Sequence, residues 1–133
     1  IINGRETSVK KRGLNVVVLG KDSTILKADS FDPIKDLDEN RRLADFIDSI
    51  ENGDIVIVSV MDDFHLADDA VLESLKQCGF RKFKKGVFRM SYAGIGFKGC
   101  RPGEAIELFS KKPVVLKLGE DIEPPLLTKF ECF

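Results

Sequence analysis

The sequence is poor in the residues that build metal and catalytic centres. It holds one histidine, His65, and three cysteines, Cys78, Cys100 and Cys132. No C-x-x-C pair or Cys/His spacing is present, which excludes the common zinc sites. The odd cysteine count leaves at least one thiol unpaired within the chain. Cys78 stands at a helical apolar position and reads as a buried free thiol. Cys100 and Cys132 stand in polar, loop-like sequence and could pair, with each other or elsewhere. No apolar run approaches the roughly 18 residues of a membrane helix, so membrane insertion is not expected. No charged start followed by an apolar stretch marks a signal peptide. No asparagine is followed by x-Ser/Thr, so an N-glycosylation acceptor is also lacking. Nor is there a surplus of positive charge: 21 Lys and Arg face 22 Asp and Glu, for a net charge of -1. That balance argues against a nucleic-acid partner. The basic runs Lys10-Lys11-Arg12 and Arg81-Lys82-x-Lys84-Lys85 read as solvated faces.

What remains is an ordinary globular composition over 133 residues, enough for one domain with a sizeable core. "GLNVVVLG" (13–20) is a β-branched run bounded by glycines, the pattern of a buried strand. "STILKADSF" (23–31) alternates apolar and polar residues, and Gly20-Lys21-Asp22 supplies a turn, so the two form a hairpin. The period then changes. In "DLDENRRLADFIDSI" (36–50), Leu43, Phe46, Ile47 and Ile50 make the stripe of an amphipathic helix. "DIVIVSV" (54–60) is a further buried strand. "LADDAVLESLKQCG" (66–79) is a second helix, striped by Val71, Leu72, Leu75 and Cys78 and closed by Gly79. "GVFRMSYAGIGFKG" (86–99), "EAIELF" (104–109) and "PVVLKL" (113–118) have strand character. Pro124-Pro125 favours an extended tail over 119–133. About six strands with two short helices predict an α+β domain, its helices laid against sheets.

Within 86–99 lies Gly94-x-Gly96-x-x-Gly99, the spacing of a dinucleotide fingerprint. A pyrophosphate loop needs its glycines at a strand-to-helix turn, where the helix N-terminus meets the phosphate. Here Cys100-Arg101-Pro102-Gly103 follows, without helical period. The glycines are therefore read as strand positions where another backbone or a ligand comes close. No nucleotide or other cofactor is implied.

"VSVMDDFHLADDA" (58–70) follows a buried strand and leads into a helix. It lacks the D-x-D-x-D-G pattern of a calcium loop. Asp62 and Asp63 are neighbours that point to opposite faces if extended, which disfavours a hydrolytic carboxylate pair. With no Ser/His/Asp or Cys/His set elsewhere, the chain is not expected to be an enzyme. The same residues suit binding. A carboxylate such as Asp62 can accept hydrogen bonds from two sugar hydroxyls, and Arg89 can donate several in a fixed fork. The ring of Tyr92 offers a flat apolar face. Asp63 and Ser91, adjoining them, complete the candidate set.

Several stretches, taken in order, resemble the ILEI/PANDER-like domain. "RGLNVVVLGKDSTILKADSFD" (12–32) is similar to its Arg-Gly-φ-Asn start, where φ is apolar, followed by a hairpin turn and Phe-Asp. "LADFIDSIENGDIVIVSVMDD" (43–63) is similar to its next block of helix, turn and strand ending in acidic residues. "LADDAVLESLKQCG" resembles its Asp-Ala helix, and "FRMSYAGIGFKG" its aromatic-Arg-x-x-Trp-x-x-x-Gly-x-Lys-Gly strand, with Tyr92 in the tryptophan position and Met90 where aspartate is usual. The resemblance implies a compact β-sandwich-like domain over 1–118 with short flanking helices. A first strand normally precedes the Ile-Asn-Gly segment, so the chain is expected to lack that strand. Family members include secreted cytokine-like proteins, modules of hyaluronan-degrading proteins, and the stem of a protein O-mannose N-acetylglucosaminyltransferase. In that stem the domain is a non-catalytic lectin for β-linked N-acetylglucosamine. Its sugar contacts carry over onto Asp62 and Arg89. The resemblance thus implies a secreted or luminal (extracellular or Golgi) module whose partner is a glycan or glycoprotein, of a kind that also serves as an accessory to a glycan-processing enzyme. The alternative is a cytokine-like protein acting on a protein receptor.

Overall fold

In the computed structural model, residues 11–84, 86, 89–112 and 114 are described. They form β1 (Gly13–Leu19), β2 (Ile25–Phe31), α1 (Glu39–Asp48), β3 (Ile55–Met61), α2 (Asp69–Lys76), β4 (Ser91–Phe97) and β5 (Ile106–Ser110). The strands make one five-stranded sheet in the order β2-β1-β3-β4-β5. Every neighbouring pair is antiparallel.

The valines of β1 explain its central place. Val16 lies opposite Val58, Val18 opposite Val56, and Leu14 opposite Val60. These residues share one face with Phe31 and Tyr92 and pack on Leu43 and Ile47 of α1 and Val71 and Leu75 of α2. β1 is buried on both faces, so its sequence is apolar but for Asn15, whose side chain is satisfied by the Lys11 N–H and carbonyl at 3.1 and 2.8 Å. β2 is largely exposed, as befits an edge. Its inner end is covered by α1, where Phe46 meets Phe31 edge-on at 5.2 Å and the Arg42 guanidinium lies 4.2 Å from the Phe31 ring centre.

Both helices are shorter than their sequence patterns. Residues 36–38 form a turn closed by the Asp36 carboxylate, which accepts the Asp38 N–H at 2.9 Å. Ile50 falls beyond the last helical turn yet stays buried. Asp68 is the N-cap of α2, its carboxylate accepting the Val71 N–H at 2.9 Å. Asn40 joins the helices by donating to the Leu66 carbonyl and accepting the Asp68 N–H, each at 3.1 Å.

Of the expected α+β, β-sandwich-like domain of about six strands, the α+β class is met. The described residues hold one five-stranded sheet with helices on a single face, an α+β arrangement. The layer opposed to the sheet's inner face is helical because α1 and α2 fill it. "PVVLKL" and the tail over 119–133 fall almost wholly outside the described residues.

The glycines of β4 are packing positions. A Cβ on Gly94 would lie 2.8 Å from the Phe80 ring and from the Tyr92 hydroxyl. A Cβ on Gly96 would run into the Cys78 carbonyl oxygen. Gly99 turns the chain with φ +95°. The β4 backbone is thus pressed against the segment leaving α2, and no helix follows for a phosphate to meet. Gly96→Ala forces backbone against backbone and is expected to destabilise the protein by about 1–3 kcal/mol, read as a lowered urea midpoint.

Candidate functional site

β3 ends at Met61, and the chain then turns sharply. Asp62 adopts φ +64°, a left-handed conformation that aspartate tolerates better than most residues. The Asp63 N–H donates back to the Met61 carbonyl at 2.9 Å. The turn separates the two neighbouring carboxylates: Asp62 is exposed, whereas Asp63 is only 3% exposed. They do not face one cleft together.

The Asp63 carboxylate is an organising acceptor. Its Oδ1 takes the His65 N–H at 3.1 Å and the Arg89 N–H at 3.3 Å. Its Oδ2 takes the His65 Nδ1–H at 2.8 Å. Burial alone raises its pKa. The hydrogen bonds from Arg89 and from the ring and backbone of His65 outweigh burial and hold it below the ordinary carboxylate value. Arg89, 26 positions away in sequence, is thereby drawn to the β3 turn. Arg89 is itself left-handed, with φ +48°, and exposed. Such a conformation in a non-glycine residue persists only where its surroundings impose it. The structure therefore brings an exposed acidic residue, Asp62, and an exposed basic one, Arg89, to the same end of the sheet.

Tyr92 does not join them as a surface platform. It is 2% exposed, and its hydroxyl donates to Glu107 Oε1 at 2.6 Å. Its ring lies 3.9 Å from that of Phe83 and meets Phe80 and Phe109 edge-on. Burial drives its phenol far above the ordinary range, with the Glu107 charge acting in the same direction. The physical reason is register. Tyr92 stands opposite Val60 on the helix-covered face of the sheet. Ser91, its neighbour, stands opposite Ser110 and leaves β4 on the other face. Asp63, a candidate contact residue, is occupied by protein donors and positions Arg89 from beneath.

Beside the turn lies a small hollow lined by Val60, Phe64, Phe83, Lys84, Met90, Tyr92 and Phe109. Its interior space is about 20 Å³, room for a water molecule rather than a sugar ring. Phe83 and Met90 are half-buried there and present apolar surface next to Arg89. Sequence reasoning missed both, because Phe83 sits inside a basic run and Met90 stands where the family carries aspartate. It also missed His65, whose only signal was its place two residues after Asp63.

The lysine of the Gly-x-Lys-Gly segment is structural. Lys98 is 8% exposed, and its ammonium donates to the Ile47 carbonyl at 2.7 Å, satisfying the C-terminal end of α1. The possible Cys100–Cys132 pair falls partly outside the described residues. Cys100 is a free thiol, 3% exposed, and Cys132 lies outside the described residues. Cys78 is buried and free, as expected. Among the described residues no cluster of His, Cys, Asp and Glu is arranged to hold a metal ion, and no helix is long and apolar enough to cross a membrane.

The class is thus an α+β domain in which one antiparallel sheet, backed by two helices, presents an Asp/Arg turn at its end. A model of the ILEI family, interleukin-like EMT inducer, matches residues 12–100, most of the chain. The chain belongs to this family. A search of curated proteins finds no match.

Asp63→Ala removes the acceptor of three hydrogen bonds and is expected to cost about 1–3 kcal/mol at neutral pH. Because the folded-state pKa of Asp63 is depressed, its contribution is complete above the ordinary carboxylate value of about 4 and is lost as pH falls through the folded value. Urea denaturation of both proteins across pH should therefore show a gap that is full at pH 7 and closes at strongly acidic pH.

Proposed function

We propose that this domain is a non-catalytic carbohydrate-binding module that recognises a glycan through Asp62 and Arg89, within a secreted or luminal protein. The observation that carries this reading is the Arg89 N–H to Asp63 hydrogen bond, which places Arg89 beside the Asp62 turn. Asp62 offers acceptors for paired sugar hydroxyls, and the Arg89 guanidinium offers donors. Phe83 and Met90 supply apolar surface for sugar C–H groups, a role the buried Tyr92 cannot fill. The preferred sugar class is a terminal β-linked N-acetylglucosamine or a related residue, which rests on the family resemblance of the two contact positions.

A second reading, a cytokine-like protein with a protein receptor, draws support from a different place. Ile25 and Leu26 are 46% and 55% exposed at the start of edge strand β2, far along the sheet from the Asp/Arg turn. Exposed apolar side chains on an edge strand favour a protein partner over a sugar.

The deciding experiment is an NMR titration of the isotope-labelled chain with methyl β-glycosides of N-acetylglucosamine, galactose and mannose. Saturable shifts at Asp62, Arg89 and Met90 are expected. Arg89→Ala and Asp62→Ala should each weaken binding about tenfold or more, the worth of hydrogen bonds to charged groups. Tyr92→Phe should leave binding unchanged while lowering stability by about 1 kcal/mol through the lost bond to Glu107. A folded protein that shows no shift with any of the three glycosides removes the glycan reading and leaves the β2 edge as the place to look for a partner.

A further inference from the structure

Two of the three cysteines meet in space, and they are not the pair that sequence context favoured. Cys78 follows the C-cap of α2, Gln77, and Cys100 follows the turn after β4. The two residues form an isolated parallel β-bridge. Hydrogen bonds fix the chains on both sides of it. The Gly99 N–H donates to the Gln77 carbonyl and the Gly103 N–H to the Gly79 carbonyl, each at 2.9 Å. Backbones paired in this way run about 4.8 Å apart. That lies inside the range of about 4.4–6.8 Å between Cα atoms that a disulfide spans.

The Cys100 thiol is also turned toward the chain that carries Cys78. A Cβ on Gly79 would lie 2.7 Å from Cys100 Sγ, so the sulfur rests against the residue next to Cys78. Both cysteines are inside the protein, 0% and 3% exposed.

We propose that Cys78 and Cys100 form a disulfide when the chain folds in an oxidising environment. The bond closes the stretch from 78 to 100 into a loop, and that loop contains Arg89. It fastens the end of α2 to the end of β4 on the side away from the Asp63 contact. The oxidant is an external disulfide, such as glutathione disulfide or the disulfide of an oxidoreductase. The thiolate of one cysteine attacks a sulfur of that disulfide, forming a mixed disulfide and releasing one thiolate. The thiolate of the other cysteine then attacks the protein sulfur of the mixed disulfide. The intramolecular S–S bond forms and a second thiolate leaves. Two electrons pass to the oxidant, and the two protein thiol protons end on its two thiols. Burial pushes the Cys78 thiol up to about 12 and the Cys100 thiol up to about 11, so thiolate is scarce once the core has closed. Exchange therefore takes place while α2 and β4 are still apart. The finished bond is sheltered from reductants in solution.

The test uses the full chain, refolded in a mixture of oxidised and reduced glutathione and checked for native circular dichroism. The protein is unfolded without reductant, its free thiols are alkylated, and a protease digest is mapped by mass spectrometry. The expected product is a peptide pair linked through Cys78 and Cys100, with Cys132 alkylated. Cys132→Ser should keep the link, and Cys100→Ser should lose it and leave Cys78 alkylated. Adding a mild reductant to the folded protein should leave the link intact, whereas the same reductant in denaturant should open it. Alkylation of both Cys78 and Cys100 in folded wild-type protein, or a Cys100–Cys132 link, overturns the proposal.

Discussion

The carboxylate of Asp63 is the constraint on which the candidate site depends. A buried carboxylate must be surrounded by donors or it destabilises the fold. Asp63 finds its donors in the backbone of Arg89 and in the backbone and ring of His65. Satisfying it therefore pins two segments that are remote in sequence. Glu107 plays the matching part at the other end of the same segment. Its two oxygens accept the Arg81 N–H, the Lys82 N–H and the Tyr92 hydroxyl. The connection between α2 and β4 is thus tied at Arg81 and Lys82 by one buried carboxylate and at Arg89 by another. The left-handed backbones of Asp62 and Arg89 become understandable in these terms. They are local costs borne where buried hydrogen bonds over-determine the chain path.

The periodic parts of this fold were legible in the sequence. The valine run of β1, the hairpin turn at Gly20, and the stripes of Leu43 and Ile47 and of Val71 and Leu75 all lie where their patterns put them. So do the β4 glycines, whose absence of a following helix argued for close packing over phosphate. Periodicity failed where it had to choose a face. Alternation shows that Ser91 and Tyr92 leave β4 on opposite sides. It does not say that Tyr92 is the one opposite Val60 and under the helices. The same ambiguity hid the division between Asp62 and Asp63, since only the positive φ at Asp62 turns one carboxylate inward and leaves the other in water. Helices laid against a sheet were expected from the mix of strands and two short helices, and are found. Which face of the sheet they cover is decided by packing, which strand patterns do not record.

Side-chain chemistry singled out Asp62 and Arg89, and the family resemblance added what neither chemistry nor periodicity could, the expectation that the two act together. Asp62 and Arg89 are unremarkable in composition and far apart in sequence. Their meeting at one end of the sheet follows from the Asp63 contact, which no spacing rule encodes. The departures from the family pattern noted in the sequence can be placed in this structure. Tyr92 occupies the tryptophan position but is held inside by Glu107, and the apolar surface near Arg89 comes from Phe83 and Met90.

Those departures bear on what the proposed site can recognise. The hollow beside Arg89 is far too small to enclose a sugar ring, so a glycan would lie across the surface. In that geometry little apolar area leaves water, and affinity rests on a few hydrogen bonds to Asp62 and Arg89. Exposed charged contacts of this kind are individually modest, because water competes for the same groups. Discrimination between sugars then follows from the directions of hydroxyls that meet a carboxylate and a guanidinium at once. An axial and an equatorial hydroxyl at one ring carbon point differently, and a fixed Arg89 backbone makes that difference count. The rigidity imposed by Asp63 is therefore the feature that would let so shallow a surface be selective.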